Sequence, residues 1–553
     1  MSSPKMKFKP QKAQLSVSIG TSVKELVIFC WLKVSELKQE IHKITGIPVS
    51  DQRLFNGHVE LSNNRSLEDY SLFDKSRKNK HLVLEAKRFS GSFIRIIPGA
   101  LCSKFLQDTI HEVNQGLKLN LAPNLTWDGT GGTYFMKDPK RNVRGVFKPI
   151  DEEAYAPFNP RGYQGSMNNS GIRSGILSGE SAYREVAAYL LDHGNFSGVP
   201  ATALVESQHN HYNYNLNEPV SAKKGSFQEF IVNKGSIEDF SPSMFDKFEI
   251  QKIAILDMRI LNMDRNEGNI LVNNKKNLIP IDHGLSIPDC FDISEYDLCW
   301  MNWQQCKDPI DEMCLDFINT IDPVKDITFL NETLPFRDKC LRNIRISTLL
   351  MKKGANSGLS LSQIGSIMYK DGYEQNPSII EQVIKKSLNL YKTINKSLST
   401  RLKLEKCLSK KVTSRSRAYS SNEIDYLHFG DTTAKTQCST PGEIECAFEI
   451  QMTISEEKEE DDEDEDLNID EYSGRSLSLP CFAKLNSKSK KTKHEAFDKK
   501  LFYYIESFIE LAVQQKVKDI LSKIYIEFTN PNGRVRSVSD IRNHDDFNDY
   551  ELY

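Results

Sequence analysis

The 553-residue sequence predicts an α+β chain: a small module of strands around one helix, a larger two-lobed module, a charged tail and a C-terminal helix. Three observations carry this. β-type runs and an amphipathic helix pattern alternate over residues 15–88. Mixed strand and helix signals, with a Gly-rich turn and an Asp/Asn-rich hairpin, fill 120–405. From about 409 the composition turns to Ser, Lys and Thr and then to acid. At roughly 100–200 residues per domain the length allows two to four domains. Counting Gly in place of Tyr in the 39% apolar total gives about 41%, a little under the 45–50% usual for a fully globular chain, so part of the chain is expected to stay unpacked. The net charge of -3 hides an acidic block: residues 456–466 hold ten Asp/Glu against Lys458, leaving a mild positive balance of about +6 elsewhere.

In the first module, LSVSI and ELVIFCW read as strands. In VSELKQEIHKITGI, Val34, Leu37, Ile41 and Ile44 recur at helical spacing and predict one buried face. DQRLFNG, a polar turn, SLEDYSLF and HLVLEAK complete a β-grasp order. The segment VSELKQEIHKITGIPVSDQRLFNG with RSLEDYSLF resembles ubiquitin over about 75 residues. It departs in two places: Arg53-Leu54-Phe55-Asn56-Gly57 is one residue short, and no Gly-Gly follows HLVLEAK. Conjugation to substrates is therefore not expected. Residues 15–88 are either a solubilising fold or a surface that recruits a ubiquitin-system partner.

In the second module, Gly129, Thr130, Gly131, Gly132 and Thr133 lead into Tyr134 and Phe135, three glycines in a turn before a strand. Glycine lets backbone N–H groups approach phosphates closely, although such turns are common. Lys148 ends the VRGVFK strand, where a hairpin returns it beneath the turn. ESAYREVAAYLLDH is a helix that offers Glu180 or Glu185 to position that lysine; Glu185, embedded in the more apolar stretch, is the favoured partner, although spacing alone leaves both open. A later strand containing Gln228, Glu229, Phe230 and Ile231 is either a hinge whose backbone reads adenine or a buried strand.

The sharpest constellation runs from Asn262 to Gly284. ILV and LIPI, separated by NNKKN, predict a β-hairpin. Asn269 precedes its first strand and Asp282 follows its second, so both sit at the open end, where two oxygen-bearing side chains can share magnesium. Asp264 precedes Asn269 by the five positions of the kinase pattern H-R-D-x-x-x-x-N, facing an acceptor hydroxyl. Asp and Asn in turns often only cap or kink the backbone. A Gly-rich turn, a strand lysine, an acidic helix, D-x-x-x-x-N and a hairpin ending Asp-x-Gly, in that order, together point to kinase-like phosphotransfer.

TWDGTGGTYFM, GVFKPIDEEAYAPFNPRG, REVAAYLLDHG, LDMRILNMDRNEGNIL and LIPIDHGLS resemble the phosphatidylinositol 4-kinase gamma family, which joins a ubiquitin-like domain to a bilobal type II PI3/PI4-kinase-like catalytic domain. The resemblance implies ATP and Mg2+ as cofactors, Lys148 on the phosphates, Asp264 as catalytic aspartate, Asn269 and Asp282 on magnesium, Gly129 to Phe135 as nucleotide loop and Gln228 to Ile231 as hinge. It also implies transfer to the 4-hydroxyl of phosphatidylinositol. Members with ubiquitin domains also act as serine/threonine protein kinases, so the acceptor is phosphatidylinositol or a protein. A catalytically inactive ubiquitin-system adaptor is the reading from a different class.

The segment from His283 to Cys306 contains no Lys or Arg but does contain Asp289, Asp292, Glu295 and Asp297, an environment expected to repel a polyphosphorylated inositide. Trp300 and Trp303 belong either to the core or to a lipid interface. Animal type II lipid kinases carry a cysteine cluster for palmitoylation; the eleven cysteines here are scattered, with no C-x-x-C pair, so neither constitutive anchoring, a disulfide framework nor a zinc ribbon is expected. The longest apolar run, Leu26 to Leu32, falls short of the roughly 18 residues of a membrane span. A cytoplasmic chain is expected, with peripheral membrane contact and no nucleic-acid partner. KSKKTK at 488–493 reads as a nuclear address, a patch for anionic lipids or solvated linker. Residues 409–494 are expected to be a disordered linker and 495–528 a helix.

Overall fold

The computed structural model describes residues 12–19, 22–29, 31–70, 72, 81–86, 91–215, 219–291, 293, 296–370, 376–391, 393 and 488–527, with side chains of the last helix described over 501–520. The predicted tail between 394 and 487, Asp292 and Glu295, and the side chains of KSKKTK lie outside the described residues.

The first module is a five-stranded sheet over one helix. Its strands are β1 (Lys12–Ile19), β2 (Ser22–Phe29), β3 (Gln52–Asn56), β4 (Val59–Glu60) and β5 (His81–Ala86), in the order β2-β1-β5-β3-β4, with β1 and β5 parallel. Helix α1 (Val34–Thr45) ends at Gly46, whose φ of 72° supplies the left-handed cap that closes the last turn. Val34, Leu37 and Ile41 pack with Leu15, Val17, Leu54, Leu82 and Leu84. Ile44, expected on the same face, is 48% exposed. At 100° per residue it lies only about 20° from the buried Leu37, so its place one residue before the end of α1, and not its angle on the helix, sets it apart from the buried stripe.

A six-stranded antiparallel sheet opens the larger module: β6 (Phe93–Ile96), β7 (Asn124–Leu125), β8 (Tyr134–Lys137), β9 (Val143–Pro149), β10 (Thr202–Gln208) and β11 (Lys223–Glu229), in the order β6-β10-β11-β9-β8-β7. Helix α2 (Lys104–Lys118), capped by the Ser103 hydroxyl, packs Leu106, Ile110 and Val113 on Phe147, Ala203, Val205 and Phe227. This sheet begins at Phe93, ahead of the boundary expected near residue 120, because FIRI is too short to show a strand period and gains its place by pairing with β10. Helix α3 (Ser181–Leu191) contacts β10 and β11.

The second lobe is mostly helical: α4 (Lys247–Ile260), α5 (Gln304–Lys307), α6 (Glu312–Thr320), α7 (Pro323–Thr333), α8 (Asp338–Asn356) and α9 (Leu361–Met368), with α4 against α8 at its centre. Two short pairs interrupt it, the parallel β12 (Asp264–Arg265) with β15 (Asp297–Leu298) and the antiparallel hairpin β13 (Ile270–Val272) with β14 (Leu278–Pro280). The last helix, α10 (Lys488–Glu527), starts seven residues before the expected 495 and lies against α8. Among the described residues no helix is long and apolar enough to cross a membrane.

Candidate active site

The cleft between the lobes is assembled by three local devices. The first is the loop between β7 and β8. Gly129 has φ +98°, which L side chains rarely adopt, and Gly132 donates its N–H to the Glu152 carbonyl at 2.9 Å where a Cβ would collide with the Glu152 side chain. Gly129 to Thr133 line the cleft; Tyr134 and Phe135 continue into β8. Tyr134 is buried with its hydroxyl on Glu152 at 2.6 Å, and the Phe135 ring meets that of Phe230 edge-on at 5.6 Å.

The second device is β9. Phe147, opposite Tyr134, faces α2, so Lys148 points to the other face of the sheet, towards α3. Its Nζ reaches Glu185 Oε1 at 2.5 Å and Asp282 Oδ1 at 3.0 Å. Glu185 also accepts the His283 backbone N–H at 3.1 Å. Of the two helix acids, Glu185 is thus the partner, while Glu180 takes Arg184 at 2.8 Å and Arg337 at 3.0 Å. Burial alone would lower the Lys148 pKa, but the charges of Asp282 and Glu185 outweigh it and hold the ammonium above the ordinary lysine value. Burial would likewise raise Glu185, and Lys148 with His283 pulls it below the usual carboxylate range.

The third device is the β13–β14 hairpin, with Ile270 opposite Pro280. Asn269 and Asp282 flank its open end, and the Ile281 N–H donates to the Asn269 carbonyl at 3.0 Å. Asp282 has φ +54°, a left-handed conformation uncommon for Asp that turns its half-exposed carboxylate back over the cleft. Asp264 lines the same cleft. Burial, then the neighbouring charge of Asp282, raises its carboxyl above the ordinary aspartate value. The Asn269 side-chain N–H donates to the Asp264 carbonyl at 2.8 Å, which spends the nitrogen on the loop and ties the two predicted positions together.

Sequence reasoning did not identify the scaffold beneath this loop. Arg265 is fully buried; it forks onto Asp257 at 3.0 Å and donates to the carbonyls of Asn269 at 2.7 Å and Ile281 at 2.6 Å. One guanidinium therefore ties together the segments carrying Asp264, Asn269 and Asp282. Asp257 also accepts the Trp300 indole N–H at 3.1 Å; that tryptophan is completely buried, which places it in the core and not at a lipid interface. Asp289, expected to contribute free negative charge, is neutralised by Arg337.

The strand predicted as a hinge pairs with β9, Ser226 opposite Lys148 and Gln228 opposite Val146. Gln228 donates its side-chain amide to Thr202 Oγ1 at 2.9 Å, and the N–H groups of Glu229 and Phe230 go to the carbonyls of Ala201 and Arg144. None of Gln228 to Ile231 lines the cleft that holds Lys148.

Residues 129–364 match the model of the phosphatidylinositol 3- and 4-kinase family, and residues 32–78 that of the ubiquitin family. The chain is 38% identical over 333 residues to phosphatidylinositol 4-kinase gamma 3 of Arabidopsis thaliana, covering 56% of this chain and 57% of that one. It is 40% identical over 302 residues to phosphatidylinositol 4-kinase gamma 4 of Oryza sativa subsp. japonica, covering 52% of each. Over 324 residues it is 36% identical to phosphatidylinositol 4-kinase gamma 6 of Arabidopsis thaliana, covering 54% of this chain and 52% of that one. The chain spans about half the length of these relatives. By these matches the chain carries a segment of the phosphatidylinositol 3- and 4-kinase type, residues 129–364, preceded by one of the ubiquitin type, residues 32–78.

Proposed function

We propose that this chain transfers the γ-phosphate of ATP to the 4-hydroxyl of phosphatidylinositol. The observation that carries the reading is the convergence of Lys148, Glu185, Asp264 and Asp282 on one cleft roofed by the Gly-rich loop. In this reading the loop N–H groups and Lys148 bind the phosphates, Glu185 fixes the ammonium, and Asp264 accepts the proton of the attacking hydroxyl.

The donor set suits magnesium. Asp282 and Asn269 offer carboxylate and amide oxygens, and the crowding of the Asp264 and Asp282 charges would be relieved by a bound cation. Asp282 and Asn269 would hold the ion, with substrate phosphates supplying further oxygens. When bound, magnesium neutralises charge on the transferring phosphoryl group.

A protein hydroxyl is the second acceptor reading, favoured by the ubiquitin-like domain as a device for recruiting a ubiquitin-system partner. Contact with lipid would be peripheral and the setting cytoplasmic. Turnover of labelled MgATP with phosphatidylinositol micelles and a mixed protein acceptor separates the two: label at the inositol 4-position supports the lipid reading, and label in protein alone replaces it.

A further inference from the structure

The ubiquitin-like sheet has two faces, and only one serves its own core. Along β3, Leu54 points into that core while Arg53 and Phe55 point out. On an isolated module Phe55 would face water. Here it is completely buried and joins the kinase-domain cluster of Ile97, Val186, Leu191 and Leu204, with Val83 of β5 and Tyr183 of α3 packed at the edge. A part-buried polar rim surrounds it. Arg53 reaches Glu206 of β10 at 2.8 Å and Glu60 at 2.7 Å, while Arg95 of β6 pairs with Glu206 and with Glu85 at 2.8 Å. Glu206 is only 2% exposed, so losing these partners would strand a buried carboxylate. The backbones also touch: a Cβ at Gly99 would lie 2.5 Å from the Gly57 carbonyl carbon, a contact only glycine permits. The surface thus meets α3, whose Val186 follows directly on Glu185.

We propose that the ubiquitin-like domain is a cis-docked strut: Phe55 and Arg53 are positioning residues that hold α3 where Glu185 meets Lys148, and the outer β3/β5 face is thereby occupied by the chain's own kinase domain. A partner in trans can use that face only by undocking it. This rests on the phosphotransfer reading, with Phe55 acting through Glu185 and not on substrate.

The test measures steady-state transfer and amide hydrogen exchange on the full chain, comparing wild type with Phe55→Asp, Arg53→Glu and the conservative Phe55→Leu. The expected result is kcat lowered about tenfold in the first two with acceptor KM within about twofold, kcat retained in Phe55→Leu, and faster exchange over 181–191 while 81–86 stays protected. Should Phe55→Asp also expose 81–86, the module itself has unfolded and Arg53→Glu, which keeps the Phe55 side chain, decides. Unchanged exchange over 181–191, or faster exchange with kcat at or above wild type, overturns the proposal. If wild type transfers nothing to either acceptor, the phosphotransfer reading fails by itself, and the exchange comparison still decides whether the domain is docked on α3.

Discussion

Lys148 lies between two carboxylates in unlike settings: Glu185 is buried and Asp282 half exposed. The buried pair sets the direction of the ammonium, and the exposed one faces the space a nucleotide would occupy. Lys148→Met is expected to lower turnover by about 10²–10³-fold, the usual cost of removing one preorganised charge donor, and Glu185→Gln by less, read from initial rates against MgATP. A second residue-scale prediction concerns Glu153, whose carboxylate accepts the N–H groups of Gly179 and Ala182 at the start of α3. Burial pushes its pKa up to about 7 despite those bonds. The sign follows: ionisation is harder in the folded chain, so this group subtracts stability as pH rises from about 4.5 through about 7. Thermal unfolding should show the Tm of Glu153→Gln, relative to wild type, higher at pH 8 than at pH 5. A pH-independent difference would refute this account of Glu153.

At the scale of elements, the loop from Asn262 to Asn269 and the β13–β14 hairpin are held by the Asp257–Arg265 pair as much as by their own hydrogen bonds. Removing one partner of a fully buried pair costs about 3–5 kcal/mol, so Arg265→Met should lower the unfolding free energy measured in urea by that amount and loosen Asn269 and Asp282 together. The hairpin and the Asp264–Asn269 spacing were legible in the sequence, because both are local: short apolar runs around a polar turn, and a fixed separation along the chain. The choice of Glu185 over Glu180 was legible only in part: its apolar neighbours favour Glu185, but what removes Glu180 is Arg337, more than a hundred residues away. Arg265 carried no usable signal either; an arginine beside an aspartate in a polar loop reads as solvated until Asp257 and the carbonyls of Asn269 and Ile281 surround it.

At the scale of the molecule, the two domain identities were readable from motif order, while their association was not: Phe55 in RLFNG looks like an ordinary strand residue until its neighbours across the interface are known. The C-terminal helix is the intermediate case. Leu501, Ile505, Phe508 and Ile509 show the helical period and are buried in α10. Their partner is α8, through Arg345 stacked 3.7 Å over Phe502 and Lys353 paired with Glu510 at 2.8 Å, which periodicity does not disclose. Ile509→Ala is expected to destabilise the chain by about 2–5 kcal/mol in urea unfolding, as for other fully buried large-to-small changes. The central claim is phosphotransfer at the cleft of Lys148 and Asp264, and the most direct measurement is label transfer from MgATP to phosphatidylinositol by wild type beside Asp264→Ala. The account predicts label on the inositol 4-hydroxyl with wild type and background with the variant; equal signals from the two proteins, with lipid and protein acceptors alike, would contradict it.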